Sequence, residues 1–372
     1  MAIDTVRVQG YRSLVDFRLR LGAVTVVTGE NATGKSNLYR AFELAHHAAD
    51  GRLAQAIARE GGMPSVLWSG KPKTDRRREV RLSIEADPLS YELGAGLPPQ
   101  APGDPSSFLR DPDIKDEAIW ATEIKRPSTT LMERAGPIVN VVDAEGVRRR
   151  LELQLNSSES VLSQLRQPEQ YPELTHFQQR MSRWRFYHQF RTDADSPMRR
   201  PQVGCRTPVL SHDGRDLAAA YQTIRESGRE MILESILAEA FPDGAPVVEV
   251  NDGWFSLGWE RPGLRRPLAA HEFSDGTLRF LCLAVALLTP DPPELIILNE
   301  PETSLNPSLI LPLARLVLEA SQTSQVWVTT HSEALARELA VARETRLTRL
   351  TMVDGETKVK GKETVVFEAD ED

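Results

Sequence analysis

Gly22-Ala-Val-Thr-Val-Val-Thr-Gly-Glu-Asn-Ala-Thr-Gly-Lys-Ser36 is the stretch that decides how this chain folds. Ala23 to Thr28 is a short β-branched run of the kind that forms a buried strand. It leads straight into a loop bracketed by Gly29 and Gly34. Behind the loop, Leu38, Ala41, Phe42 and Ala45 recur at helical spacing, which predicts a helix from Lys35 to about His46. Strand, glycine-bracketed loop and helix in this order make the phosphate-loop pattern. Such a loop aims consecutive backbone N–H groups inward, and the helix adds the positive end of its dipole. Lys35 is then placed to reach the β- and γ-phosphates of a nucleotide, and the Ser36 hydroxyl to ligate Mg²⁺. An ordinary glycine turn would need neither the strand before it nor the amphipathic helix behind it.

Near the other end of the chain a second group of motifs points to the same chemistry. Leu295-Ile-Ile-Leu298 reads as a fully buried strand after the turn-forming Pro290-Asp-Pro-Pro293. A carboxylate at the C-terminal end of such a strand lies where open α/β sheets bind ligands. Glu300 stands there, placed to activate a water molecule. Val326-Trp-Val-Thr-Thr330 is another strand and ends at His331, within reach of a γ-phosphate. Ser274 is a natural N-cap for a helix from Gly276 to Leu288, so this helix end is a second anion-binding position.

These pieces resemble the SMC-like and RecF-like branch of ABC-type ATPases. More narrowly, they are similar to single-chain AAA-type ATPases related to the overcoming-lysogenisation-defect proteins, in their ATPase part only. The resemblance rests on Gly29-x-Asn31-x-x-Gly-Lys-Ser-Asn37, Ser274-Asp-Gly-Thr277, Glu300-Pro-Glu302, Leu305-x-Pro307 and Thr330-His331, with Val6-Arg-Val-Gln-Gly-Tyr-Arg-Ser13 at the start. It anchors residues 1–45 and 270–335 and runs more loosely through 155–225. It implies an α/β P-loop fold of the ABC/SMC head type, in which a mixed central sheet is flanked by helices. An N-terminal antiparallel β part and an inserted α+β subdomain complete that fold. It also implies a homodimer closed head to head around two ATP molecules, each held between one chain's phosphate loop and the other's signature. Under that resemblance Gly29, Asn31, Gly34, Lys35, Ser36 and Asn37 bind ATP and its Mg²⁺. Ser274 and Gly276 contact the partner's nucleotide, Glu300 is the general base, and His331 is the switch histidine. Lys35 counts among the catalytic residues with Glu300 and His331.

The sequence departs from the family pattern at Asn299, where Asp is usual beside the catalytic Glu. Asn keeps an acceptor oxygen but loses the charge, so its attraction to Mg²⁺ weakens. The metal neutralises charge on the transferring phosphoryl group, so hydrolysis is expected to suffer more than binding. Asn306 stands where a His is common. Two functional classes follow: an ATP hydrolase that turns over slowly, and a nucleotide-gated binding module with little or no turnover. The cassette of a membrane transporter fits neither the signature nor the N-terminal strands.

Composition narrows the setting. The 372 residues suffice for a large α/β core and a subdomain. A 40% hydrophobic and 26% charged composition is that of a globular protein. There is neither an apolar run of about 18 residues nor a basic-then-apolar leader, which leads us to expect no membrane contact and a cytoplasmic location. The two cysteines, Cys205 and Cys282, make no disulfide framework or metal site. A formal net charge of −8 argues against a general nucleic-acid coat. DNA contact would instead use the local patches Lys71–Arg78, Arg199-Arg200 and Arg261–Arg266, although basic clusters beside Pro and Gly are usually solvated loops.

Along the chain, residues 1–95 read as the N-terminal half of the ATPase and 214–372 as its C-terminal half. The intervening 96–213 reads as an inserted subdomain with its connections. Ala95 to Pro105 is expected to be an exposed connection. Leu217, Ala220, Tyr221 and Ile224, then Ile232, Ile236 and Ala240, mark helical faces. Trp184, Phe186, Tyr187 and Phe190 are expected to be core rather than a base-stacking platform. His188 and His212 lack spaced partners for a metal, and Arg279 is expected at the surface or at a dimer seam. No heptad run separates the two halves. The related defence nucleases carry a nuclease domain after the ATPase, for which this chain is expected to have no room. A separate effector protein would supply such an activity. DNA repair, replication-linked maintenance and phage defence are all compatible with the resemblance.

Overall fold

The computed structural model describes residues 2–70, 78–99, 106–121, 124–151, 154–342, 345–361 and 364–365. The basic stretch 71–77, residues 100–105 of the expected connection and the acidic end 368–372 lie outside the described residues. The chain divides into two compact units. One comprises Met1–Gly22, Gly29–Trp184 and Arg349–Lys362; the other comprises Ala23–Thr28, Arg185–Thr348 and Glu363–Asp372.

The first unit is built on an eight-stranded sheet. Its order is Leu14–Arg20, Ala2–Tyr11, Glu79–Asp87, Leu89–Gly96, Asp113–Ala121, Thr130–Ala135, Ile138–Val142 and Arg148–Arg150. Every neighbouring pair is antiparallel. Glu79–Asp87 shows why the sheet has one wet face and one dry face. Val80, Leu82, Ile84 and Ala86 point inward, while Glu79, Arg81, Ser83 and Glu85 alternate on the other side. The helix Lys35–Asp50 packs on this sheet through its buried face, Leu38, Ala41, Phe42 and Ala45 among it. It runs a turn beyond the expected end at His46, and Gly51 at φ +71 stops it. The helix Pro172–Ser182 lies beside it, with Trp184 stacked on Phe42 at 5.2 Å between ring centroids.

Ala95 and Gly96 are not part of an exposed connection. They extend the strand Leu89–Gly96 and are buried, with Glu79 paired to Gly96 on one side and Asp113 on the other. Glycine there reflects crowding rather than a loop, because a Cβ on Gly94 would stand 2.9 Å from the Asp116 carboxylate.

The second unit holds a parallel sheet. Arg185–Tyr187, Leu295–Asn299, Gln325–Thr330 and Val24–Gly29 lie side by side, all parallel. Asn299, Thr330 and Thr28 therefore reach the same C-terminal edge, and the chain passes from Thr28 directly into the glycine-bracketed loop. The helix Asp275–Leu287 is buried from Leu278 to Leu287 and forms the middle of the core, in contact with Leu217–Arg225 and Ile310–Ala320. A residue run that apolar on all sides belongs inside a protein. Cys282, buried on this helix, is core as expected.

Residues 214–241 form two helices, Leu217–Arg225 and Glu230–Ala240, separated at Gly228 with φ +83. The second buries Leu233, Ile236 and Leu237, whereas Ile232 is 37% exposed and Ala240 is not buried. Helical spacing alone could not choose between neighbouring stripes on an apolar helix. Trp184, Phe186, Tyr187 and Phe190 are all buried, as core residues should be. Among the described residues, no helix is long and apolar enough to cross a membrane.

Candidate nucleotide site

The phosphate loop belongs to the first unit. Ala32 at φ +64 and Gly34 at φ +100 put two left-handed residues into the loop, the backbone turn from which anion-binding nests are made, and the helix begins at Lys35. Gly34 is required twice. Its conformation is one that L side chains rarely adopt, and a Cβ there would lie 2.0 Å from the Thr357 hydroxyl. Lys35 is only 4% exposed, and its Nζ donates to the carbonyls of Gly29 at 2.7 Å and Glu30 at 2.9 Å. The Thr33 hydroxyl donates to the Glu30 carbonyl as well, closing the loop on itself. Asn31 and Ser36 are exposed. Asn37, in the first helical turn, donates its amide to the Ser13 hydroxyl at 2.9 Å, tying the helix to the turn after the first strand. An ammonium held by the loop carbonyls, a helix N-terminus and an exposed hydroxyl at the next position are groups that a triphosphate and Mg²⁺ require.

The second cluster lies at the sheet edge of the other unit. Asn299, 2% exposed, ends its strand with both sides of its amide engaged: Oδ1 accepts from the Thr329 hydroxyl at 2.5 Å, and Nδ2 faces His188 Nδ1 at 2.5 Å. His188 follows the strand Arg185–Tyr187, which pairs directly with Leu295–Asn299. Its place beside Asn299 comes from that pairing, and no local motif signals it. Glu300 has φ +49, and its N–H donates to the Thr329 carbonyl at 2.8 Å. Its carboxylate is partly exposed and lies 3.9 Å from His331 Nδ1.

Glu302 is a buried acceptor with three donors on one oxygen: the Thr330 hydroxyl at 2.5 Å, the His331 N–H at 3.1 Å and the Ser332 N–H at 3.3 Å. His331 Nδ1 is 3.3 Å from that same oxygen. Glu302 therefore shapes the turn that presents Glu300 and His331, a role that its place in the motif does not announce.

Ser274 caps the helix Asp275–Leu287 as expected, its Oγ accepting from the Thr277 N–H at 3.1 Å. Such a cap contributes about 1 kcal/mol. A Cβ on Gly276 would stand 3.0 Å from the Ser304 carbonyl, so this glycine permits close approach to the turn after Glu300. Arg199 is not a surface patch. Its side chain is 6% exposed and donates to the carbonyls of Thr192, Ala270 and Phe273 and to the Asp275 carboxylate, clamping the residues that flank Ser274. Arg279 is not a surface residue either: it is buried in this helix.

A family profile described as "AAA domain, putative AbiEii toxin, Type IV TA system" matches residues 24–337, most of the chain. No curated protein sequence matches. Among solved structures, the chain is similar to an SMC head bound to the C-terminal winged-helix domain of ScpA. The TM-score is 0.54 at 15% identity, over 98% of this chain and 99% of that one. It is similar to an Smc head with an extended coiled coil, bound to the C-terminal domain of ScpA, from Pyrococcus furiosus (TM-score 0.53, 14% identity, 98% and 96% covered). It is also similar to an Smc head with a coiled coil and joint from Pyrococcus yayanosii (TM-score 0.52, 10% identity, 96% of each chain covered). At these identities the likeness is one of fold.

Proposed function

The chain belongs to this AAA-domain family and has the fold of an SMC head, and from that premise we propose that it binds Mg-ATP, closes head to head with a second copy, and hydrolyses ATP slowly to ADP and phosphate. The observation that carries this reading is the phosphate loop, in which Gly34 at φ +100 starts the helix at a nearly buried Lys35 whose ammonium bonds the carbonyls of Gly29 and Glu30. Gly29, Asn31, Gly34, Lys35 and Asn37 would frame the phosphates, the Ser36 hydroxyl would ligate the metal, and Asn299 is the second residue assigned to it. Ser274 and Gly276 meet the partner's nucleotide. Bound Mg²⁺ supplies charge neutralisation for phosphoryl transfer. Glu300 takes the proton of the attacking water, and His331, 3.9 Å from its carboxylate, lies beside the same turn. Closing and opening of the dimer would engage and release DNA or a partner protein.

A second reading, a nucleotide-gated clamp with little turnover, is favoured by one observation. The Asn299 amide is engaged by Thr329 and His188 and brings no negative charge to the strand end.

Three measurements test these readings. Titration with a fluorescent ATP analogue should show Mg²⁺-dependent binding that Lys35→Ala abolishes; a wild-type protein that binds none sinks both readings. Sizing of Glu300→Gln with Mg-ATP should give a dimer, and a nucleotide-loaded monomer would remove the shared site. Phosphate release with and without DNA separates the hydrolase from the clamp: no release by the parent, with release by Asn299→Asp, selects the clamp.

A further inference from the structure

Arg279 lies on the helix that Ser274 caps, about one and a half turns further along. It is 5% exposed, and burial pushes its pKa below the ordinary value, countered most by the charge of Glu302. A guanidinium in such a place is costly unless it does something specific. Its Nη2 donates to the Glu300 carbonyl at 3.2 Å. Among the described residues, its buried Nε has no partner, and neither has the buried Oε2 of Glu302.

The turn that Arg279 holds is strained. Glu300 occupies the left-handed region at φ +49, disfavoured for a residue with a side chain, and persists only if its surroundings hold it. Its N–H is fixed by the Thr329 carbonyl and its C=O by Arg279. The same helix touches the far end of the turn, where Gly276 packs against the Ser304 carbonyl. One rigid, buried helix thus meets the turn at Glu300 and at Ser304 and carries the signature at its exposed end.

We infer that Arg279 is a positioning residue that transmits engagement of Ser274 and Gly276 to the backbone of Glu300. Each chain's base is then set by whether its own signature is occupied by the partner's nucleotide, so the two sites of a dimer are energetically coupled. This rests on the dimeric ATP reading above.

The test is amide hydrogen exchange of the full chain, followed by mass spectrometry, with Mg²⁺ and a non-hydrolysable ATP analogue. The wild type should gain protection at 29–36 and at 299–305. Arg279→Met should keep the first and lose the second by about tenfold, the scale of an ordinary coupling between sites. Arg279→Lys, which keeps the charge on a single donor, should recover part of it, and it carries the test if Arg279→Met does not fold. In turnover, Arg279→Met should lower kcat by about tenfold with KM within about twofold, the pattern of an interaction used after binding. Equal protection of 299–305 in Arg279→Met and wild type would overturn the inference. So would a wild type in which nucleotide protects 29–36 alone. If neither segment is protected in the wild type, the ATP reading itself fails, and the inference falls with it.

Discussion

Thr357 donates a hydrogen bond of 3.0 Å to the carbonyl oxygen of Thr33, 324 positions earlier in the chain. Its hydroxyl also meets that of Ser13 at 2.7 Å, and Ser13 accepts from Asn37. The hairpin Thr345–Val353 and Glu356–Val359, turned at Asp354-Gly355, thereby forms a wall of the phosphate loop. Thr357→Val keeps the shape and removes the hydroxyl. A lost hydrogen bond of this kind costs about 1 kcal/mol, or roughly fivefold in ATP affinity. Titration with a fluorescent ATP analogue measures it, and unchanged affinity would show that the wall is passive. Gly34→Ala should be far worse, since its Cβ would collide with the same hydroxyl.

Asn299→Asp should raise single-turnover phosphate release by about tenfold, because a carboxylate at the strand end restores the charge that holds the metal. The new oxygen would face His188 Nδ1 in place of the present amide. His188→Ala in the Asp background should remove part of the gain. A rate equal to the parent's would mean that the charge at this position does not limit turnover.

Glu302→Ala strips the acceptor from the Thr330 hydroxyl and from the His331 N–H, whereas the Ser332 N–H keeps the Thr330 hydroxyl oxygen at 2.9 Å. Leaving buried donors unpaired should cost about 3 kcal/mol, read from urea unfolding midpoints, and Glu302→Gln should cost less because one acceptor oxygen remains. An alanine variant as stable as the parent would show that these donors find other partners.

Stability should depend on pH through Glu43, on the helix that follows the phosphate loop. Burial, aided by the charge of Glu60, pushes its carboxyl from 4.5 up to about 7. The folded chain therefore holds this proton more tightly than the unfolded chain does. The contribution is full below the unfolded value and is lost as pH rises from about 4.5 to about 7. Glu43→Gln should stabilise the protein by about 1 kcal/mol near pH 8 and by almost nothing near pH 4.5. His47 runs the other way: burial lowers it to about 4, so its contribution is lost as pH falls from 6.5 towards that value. The difference between variant and parent isolates Glu43, and a difference that does not change with pH would refute the assignment.

Several features were legible because they are local. The strand before Gly29, the loop, the helix face of Leu38 and Phe42, the buried run Leu295–Leu298 and the cap at Ser274 all depend on residues within a turn or a strand of one another. Others read wrongly for the same reason. Arg279 looked like a surface residue because charge on a helix usually marks its wet face, and this helix has none beyond its first turn. Arg199 looked like half of a basic patch, yet it serves as a clamp on the carbonyls before Ser274. His188 had no motif at all, and only the pairing of its strand with Leu295–Asn299 brings it to Asn299.

By itself the sequence determined the phosphate loop, the buried strands and the family, since glycine placement, β-branched runs and helical spacing act between near neighbours. Tertiary structure alone decided which polar side chains are engaged within the protein. Thr357 with Thr33, Asn299 with His188 and Arg279 with Glu300 each join segments far apart in the chain, and no local period encodes which distant carbonyl or amide a buried donor will meet.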